Sequence, residues 1–170
     1  SRVLVGDRAT AEALETYGPA ARVIHIASHG EHVALEPWSS SLFLAGSGTS
    51  GHYTAAHFRK LDLSEVDLVV LAGCETGIGD GQAGFPRALA EAGAHWSVVS
   101  TRPVEDGATA ELMRCLYHHL DRGLPPPAAL RAAKLDRYAS VKASANETEP
   151  YAWAPWIIVP HTLRSEVTAR

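Results

Sequence analysis

Short apolar runs alternate along the chain with segments whose apolar residues recur at helical spacing. Four runs predict buried strands, because they are short, rich in β-branched residues and bounded by glycine or proline. These predicted strands are residues 22–28, 67–73, 96–101 and 154–159, and the predicted helices are 10–17, 54–61, 83–92, 106–120 and 128–138. Strands that alternate with helices imply crossover connections. The pattern therefore predicts an α/β fold of three layers, with a mostly parallel sheet and helices on both faces.

Two segments interrupt this alternation. Residues 39–53 are rich in Ser and Gly around an apolar Leu-Phe-Leu run, which predicts a small hairpin. Residues 140–150 are polar and irregular, which predicts a loop. A chain of 170 residues is about the length of one domain, so we expect a single domain over residues 1–170.

Composition narrows the classes of function. The chain is 46% hydrophobic and 20% charged, with a formal net charge of -4 and no basic cluster, which argues against nucleic-acid binding. Its apolar runs are too short to cross a bilayer, so we expect no membrane partner. Its two cysteines form neither a disulfide framework nor a CxxC pair, which favours a reducing, cytoplasmic compartment.

Reactive side chains follow two of the strongest predicted strands. The run 22–28 leads into His29, and the run 67–73 leads into Cys74. Ligands bind beyond the carboxyl ends of parallel strands, so neighbouring strands would deliver both groups into one crevice. An imidazole can take the proton of a thiol and later protonate a leaving amine. Cys74 is therefore a candidate nucleophile and His29 its candidate general base and acid.

The flanking backbone offers candidate oxyanion donors, the N–H groups of Gly30 and Cys74. Gly30 has no Cβ and would let a substrate backbone approach closely. Taken singly, Cys74 is also compatible with a small buried hydrophobe, and His29 with a surface or core histidine. We expect His25, four residues before His29, to be a hydrogen-bonded histidine of the core.

Five stretches carry a resemblance to a known family. They are VIHIASHG (23–30), DLVVLAGCETGIGDG (67–81), AEAGAHWSVVSTRPVEDGATAELM (90–113), LPPPAALRAA (124–133) and YAWAPWIIV (151–159). In this order they resemble the CHAT domains, caspase-like peptidases that are often attached to TPR repeats. The resemblance covers nearly the whole chain, and its most specific parts are the His-Gly pair and the segment around Cys74.

This resemblance implies a caspase-like fold and peptide-bond hydrolysis by a dyad of Cys74 and His29, without a metal or an organic cofactor. It implies a protein or peptide as substrate. It also implies activation by processing or by a partner, either a TPR region or a second chain of the same protein. Because the family domain has further strands before the segment that begins here, we expect the chain to be its later part.

The chain departs from the family pattern near the expected substrate cleft. Arg102 stands where the family carries Trp, and it could favour an acidic substrate side chain through a bidentate contact. Alternatively it is solvated or paired with a neighbouring carboxylate, and Glu75, Asp80 and Asp106 line a pocket for a basic side chain. These hypotheses predict opposite preferences. The glycine-rich loop after Cys74 also lacks a Glu that is common in the family.

The sequence supports other classes of function less strongly. Gly79, Gly81 and Gly84 match a dinucleotide-binding fingerprint, but the turn before them is too long and the next strand ends without a carboxylate for a ribose. The main alternative is a catalytically silent, caspase-like interaction or signalling module. Retention of both Cys74 and His29 counts against it, because such a module has no chemical need for the pair.

Overall fold

The computed structural model describes residues 1–46, 51–77, 83–143 and 153–161. Its strands are β1 (Val23–Ala27), β2 (Gly30–Glu31), β3 (Ser41–Phe43), β4 (His52–Thr54), β5 (Leu68–Ala72), β6 (Trp96–Ser100) and β7 (Trp156–Pro160). Its α-helices are α1 (Ala11–Tyr17), α2 (Ala55–Phe58), α3 (Phe85–Glu91), α4 (Asp106–Asp121) and α5 (Pro126–Ala143). Within these ranges, no helix is long and apolar enough to cross a membrane.

The larger sheet has the strand order β1-β5-β6-β7. The first three strands are parallel, and β7 joins the edge in the antiparallel direction. The registers of β1 and β5 end together, with Ala27 opposite Ala72. The residues that follow these two strands therefore emerge side by side at one edge of the sheet.

Helices cover both faces of this sheet, as the sequence predicts. Helices α1, α2 and α3 pack with one face around a cluster that includes Leu14, Phe58 and Leu89. Helices α4 and α5 pack on the other face, where Leu112 and Leu130 belong to a second buried cluster. The architecture is thus an α/β fold of three layers with a mostly parallel sheet, consistent with the caspase-like fold.

Strand β1 is buried on one face only. Ile24 and Ile26 point into the first cluster, whereas Val23, His25 and Ala27 are exposed. The expectation that His25 is a core residue is therefore wrong, although it is hydrogen-bonded. Alternate residues of a strand face opposite sides, and β1 is an edge strand whose second face is open beside α4.

The predicted hairpin excursion is part of a small antiparallel sheet of order β2-β3-β4. It begins at Gly30, earlier than predicted, because Gly30 pairs with Leu42. The predicted loop over 140–150 is wrong in its first part, where α5 continues to Ala143. Residues 144–150 of that prediction lie outside the described residues.

Candidate active site

The segments that follow β1 and β5 adjoin each other. A Cβ placed on Gly30 would lie 3.4 Å from the carbonyl oxygen of Cys74, so the two backbones approach closely. On the other side, the His29 carbonyl accepts a hydrogen bond from the Phe43 N–H at 2.9 Å, which fixes this segment to the small sheet. The residues after both strands are therefore held next to each other.

A cleft of about 600 Å³ opens at this point between the sheet and α4. His29 and Cys74 both line it. The α4 wall consists of residues spaced by three and four, which form one stripe of a helix. They are Asp106, Thr109, Ala110, Met113, Arg114 and Tyr117.

Helix α4 runs back along β1, from the Cys74 end of the cleft to its floor. At the mouth, the Cys74 thiol donates a long hydrogen bond to the Val104 carbonyl, at 3.8 Å, two residues before α4 begins. At the floor, the Tyr117 hydroxyl and His25 Nδ1 are 2.7 Å apart. Between these levels lie Ala27 and Ala72, whose short side chains leave the cleft open.

Desolvation favours the uncharged forms of the two side chains at the floor of the cleft. Desolvation lowers the pKa of His25 below its usual 6.5, although its ring reaches solvent through the open cleft. Desolvation also raises the pKa of Tyr117 to about 12. Both side chains are therefore neutral near pH 7, and they can offer hydrogen bonds without bringing a charge into the cleft.

One buried polar side chain in the wall has no hydrogen-bond partner among the described residues. Thr109 is only 8% exposed, and its hydroxyl oxygen makes no hydrogen bond with any residue that the structure describes. Buried hydroxyl groups are usually paired, so this one is a candidate contact for a ligand in the cleft. Nothing in the sequence pattern separates this Thr from an ordinary helix residue.

Buried hydroxyls fix the turn that carries Cys74. The Ser100 hydroxyl donates to the Gly73 carbonyl at 2.7 Å, and the Thr76 hydroxyl donates to the Leu71 carbonyl at 3.2 Å. The Ser100 N–H in turn donates to the Thr76 oxygen at 3.1 Å. Glu75 has a φ of 56°, in the left-handed region, which turns the chain sharply after Cys74.

The structure brings both predicted catalytic residues to one cleft, with the Cys74 side chain half-buried and that of His29 exposed. The thiol bonds to Val104 and not to His29. The two residues are therefore neighbours of a common cavity in this conformation and not a hydrogen-bonded pair. Such contacts are often longer in a free enzyme than in its substrate complex.

The predicted substrate-binding residues separate into three groups. Asp106 lines the cleft at its mouth. Arg102 is exposed and Glu75 is half-buried, and neither belongs to the described lining of the cleft. Asp80 lies outside the described residues. Sequence reasoning missed Thr109, Arg114 and the other α4 residues of the wall, because no apolar or polar pattern marks this stripe.

In the described part of the chain, no three His, Cys, Asp or Glu side chains are grouped so that they could hold a metal ion. The chemistry that this part of the chain offers is that of a thiol, an imidazole and backbone N–H groups.

The fold and the cleft define an α/β protein that presents a cysteine and a histidine at the ends of neighbouring parallel strands. The family model of the CHAT domain matches residues 1–161. The chain therefore belongs to the CHAT-domain family, which is of the caspase-like cysteine-peptidase type. A comparison with curated proteins finds no match.

Proposed function

We propose that this chain is a cysteine endopeptidase that hydrolyses peptide bonds in protein substrates through Cys74 and His29. The observation that supports it most is that both side chains line one cleft, at the adjoining ends of β1 and β5. Only Cys74 of the two cysteines lies there, since Cys115 packs against the second buried cluster. The family of the chain supports the same function.

In this mechanism, His29 takes the proton of the Cys74 thiol, and the sulfur forms a bond to the carbonyl carbon of the substrate. Collapse of the tetrahedral intermediate breaks the C–N bond, and the proton on His29 goes to the leaving amine. Water then attacks the thioester, and His29 receives its proton. The C–S bond breaks, His29 returns the proton to the sulfur, and the carboxylic acid is released.

The negative charge on the carbonyl oxygen needs donors that are already in place. The N–H groups of Gly30 and Cys74 are the candidates, because the backbone at Gly30 approaches that of Cys74 closely. Loss of one such donor typically costs about 10²–10³ in rate. The hydroxyls of Ser100 and Thr76 support this role, since they restrain the carbonyls of Gly73 and Leu71, which shortly precede Cys74.

The conformation described here suits a resting state. The thiol must leave the Val104 carbonyl before it can meet His29, and activation by a partner or by processing would supply that change. Both cysteines are free thiols, which supports a reducing, cytoplasmic setting. The same thiol contact also favours a second candidate function, a catalytically silent module that binds peptides in this cleft.

A diverse peptide pool read by mass spectrometry tests the peptidase. We expect cleavage by the wild type and none by Cys74→Ala or His29→Ala, because each lacks a group that the reaction requires. Cys115→Ala and His118→Ala are the matched controls, since Cys115 packs away from the cleft and His118 is exposed on α4. Cleavage that survives Cys74→Ala would exclude this nucleophile.

Alkylation by iodoacetamide tests the pair without a substrate. A thiol activated by an imidazole reacts as a thiolate, so Cys74 should be alkylated much faster than Cys115 and more slowly in His29→Ala. Equal, slow rates at both cysteines, together with an uncleaved peptide pool, would instead support the silent module.

A further inference from the structure

We propose that the cleft beneath Cys74 receives a long, uncharged side chain of the substrate, glutamine above all, and that Thr109 recognises its tip. This inference rests on the proposed function, because it places the substrate residue next to the bond that Cys74 attacks. Both hypotheses from the sequence predict a charged substrate side chain, whereas this proposal predicts an uncharged one.

The depth of the cleft fits a side chain of this length. Ala27 and Ala72 are paired in the register, two residues before His29 and Cys74 respectively. Two strand residues span about 7 Å, and an extended glutamine reaches about 5 Å from its Cα to its amide, so the cleft is deep enough to hold this side chain below the thiol. Because both residues are alanines, the space below the thiol is not filled by the protein itself.

Thr109 supplies the polar contact at that depth. Its position on α4 is three residues, or about one turn, after Asp106 at the mouth, so it lies about 5 Å further down the wall. Its hydroxyl oxygen is buried and has no partner among the described residues, so it must turn towards the cleft to meet a ligand. An amide can donate to this oxygen and also accept from it, whereas a methionine sulfur accepts only weakly.

The two charged side chains on the α4 wall, those of Asp106 and Arg114, are exposed to solvent. Asp106 is exposed at the mouth, and the Arg114 side chain is 74% exposed and 3.5 Å from the Glu111 carboxylate. A glutamate or arginine tip placed beside Thr109 would therefore be removed from water without an opposite charge. The neutral His25 and Tyr117 below supply no such charge either.

Binding to Cys74→Ala protein isolates recognition from catalysis. The probes are four fluorescent alanine-based peptides that differ in one central residue, which is glutamine, methionine, glutamate or arginine. We expect fluorescence polarisation to give the glutamine peptide a Kd at least about tenfold lower than those of the two charged peptides, because their tips would be buried unpaired. Tighter binding of a charged peptide, or no binding of the glutamine peptide, would overturn the proposal.

A second substitution, Thr109→Val, removes the hydroxyl while keeping the shape of the side chain. We expect it to weaken binding of the glutamine peptide about tenfold and to change binding of the methionine peptide by less than about twofold. Equal losses for both peptides would show a general structural effect and overturn the role of Thr109. Arg102→Ala is the matched control and should change neither affinity, because Arg102 does not line the cleft.

Cleavage of the peptide pool by the wild type separates the two proposals. Selective binding without cleavage would count against the peptidase and leave the selectivity standing. Cleavage after charged residues would keep the peptidase and refute the selectivity.

Discussion

The carbonyl oxygen of Ser28 occupies the space that a side chain on Gly73 would need. A Cβ at Gly73 would lie 2.6 Å from this oxygen, a distance that real Cβ atoms essentially never show. The ends of β1 and β5 thus touch through their backbones, one residue before His29 and one residue before Cys74. This contact is what brings the two reactive side chains to the same cleft.

Gly73→Ala should therefore separate the two strand ends. The obstacle is backbone and cannot rotate away, so we expect a loss of about 1–3 kcal/mol in the free energy of unfolding and a larger proportional loss of peptidase activity. Urea denaturation and a peptide assay measure the two effects. Gly107→Ala is the control, since its Cβ would meet the flexible Glu105 carboxylate at 3.0 Å. An unchanged Gly73→Ala enzyme would contradict this account of the cleft.

The Ser100 hydroxyl should matter for Cys74 more than for the fold. Ser100→Ala removes the hydrogen bond to the Gly73 carbonyl, and Ser97→Ala removes an equally buried hydroxyl that contacts His161 at 2.9 Å. We expect each to cost about 1 kcal/mol of stability. Only Ser100→Ala should lower kcat and slow alkylation of Cys74. Equal activity of the two variants would show that the Ser100 hydroxyl does not position the turn that carries Cys74.

The strands and helices were predictable because their signals are local. The apolar positions on α4, among them Leu112 and Leu116, follow one helical stripe, and both are buried as that spacing predicts. The parallel order of β1, β5 and β6 follows from the crossover connections, so His29 and Cys74 could be assigned to one edge of the sheet before the structure was known.

The lining of the cleft was not predictable in the same way. The α4 stripe that faces it mixes Asp106, Thr109, Met113 and Tyr117, so no apolar or polar pattern marks it. A strand rich in β-branched residues predicts burial on both faces, which places His25 in the core. The sequence does not show that β1 is an edge strand, since that depends on which strands pair.

Glu75 should be a site where glycine stabilises the protein. Its φ of 56° places it in the left-handed region, where a residue with a Cβ costs about 1 kcal/mol relative to glycine. We expect Glu75→Gly to raise the free energy of unfolding by up to about that amount, as measured by urea denaturation. Glu65→Gly, at an exposed position without a positive φ, should instead be neutral or destabilising. A destabilised Glu75→Gly would show that contacts of the Glu75 side chain outweigh its backbone strain.

His161 should make the stability of the fold sensitive to mild acid. Desolvation lowers its pKa to about 4, whereas in the unfolded chain it is near 6.5. As the pH falls below about 6.5, the unfolded state therefore binds a proton that the folded state does not yet bind. The free energy of unfolding decreases progressively as a result, down to about pH 4. Above about pH 7 the histidine is neutral in both states and the effect vanishes.

Comparison of melting temperatures at pH 7.5 and pH 5.0 tests this. Because His161 is partly exposed, we expect it to account for a loss on the order of 1 kcal/mol over that interval, which His161→Gln should abolish. His118→Gln, at an exposed position on α4, should keep the wild-type difference between the two melting temperatures. The same difference in His161→Gln as in the wild type would mean that other groups carry the acid sensitivity, and that protonated His161 is accommodated beside Ser97.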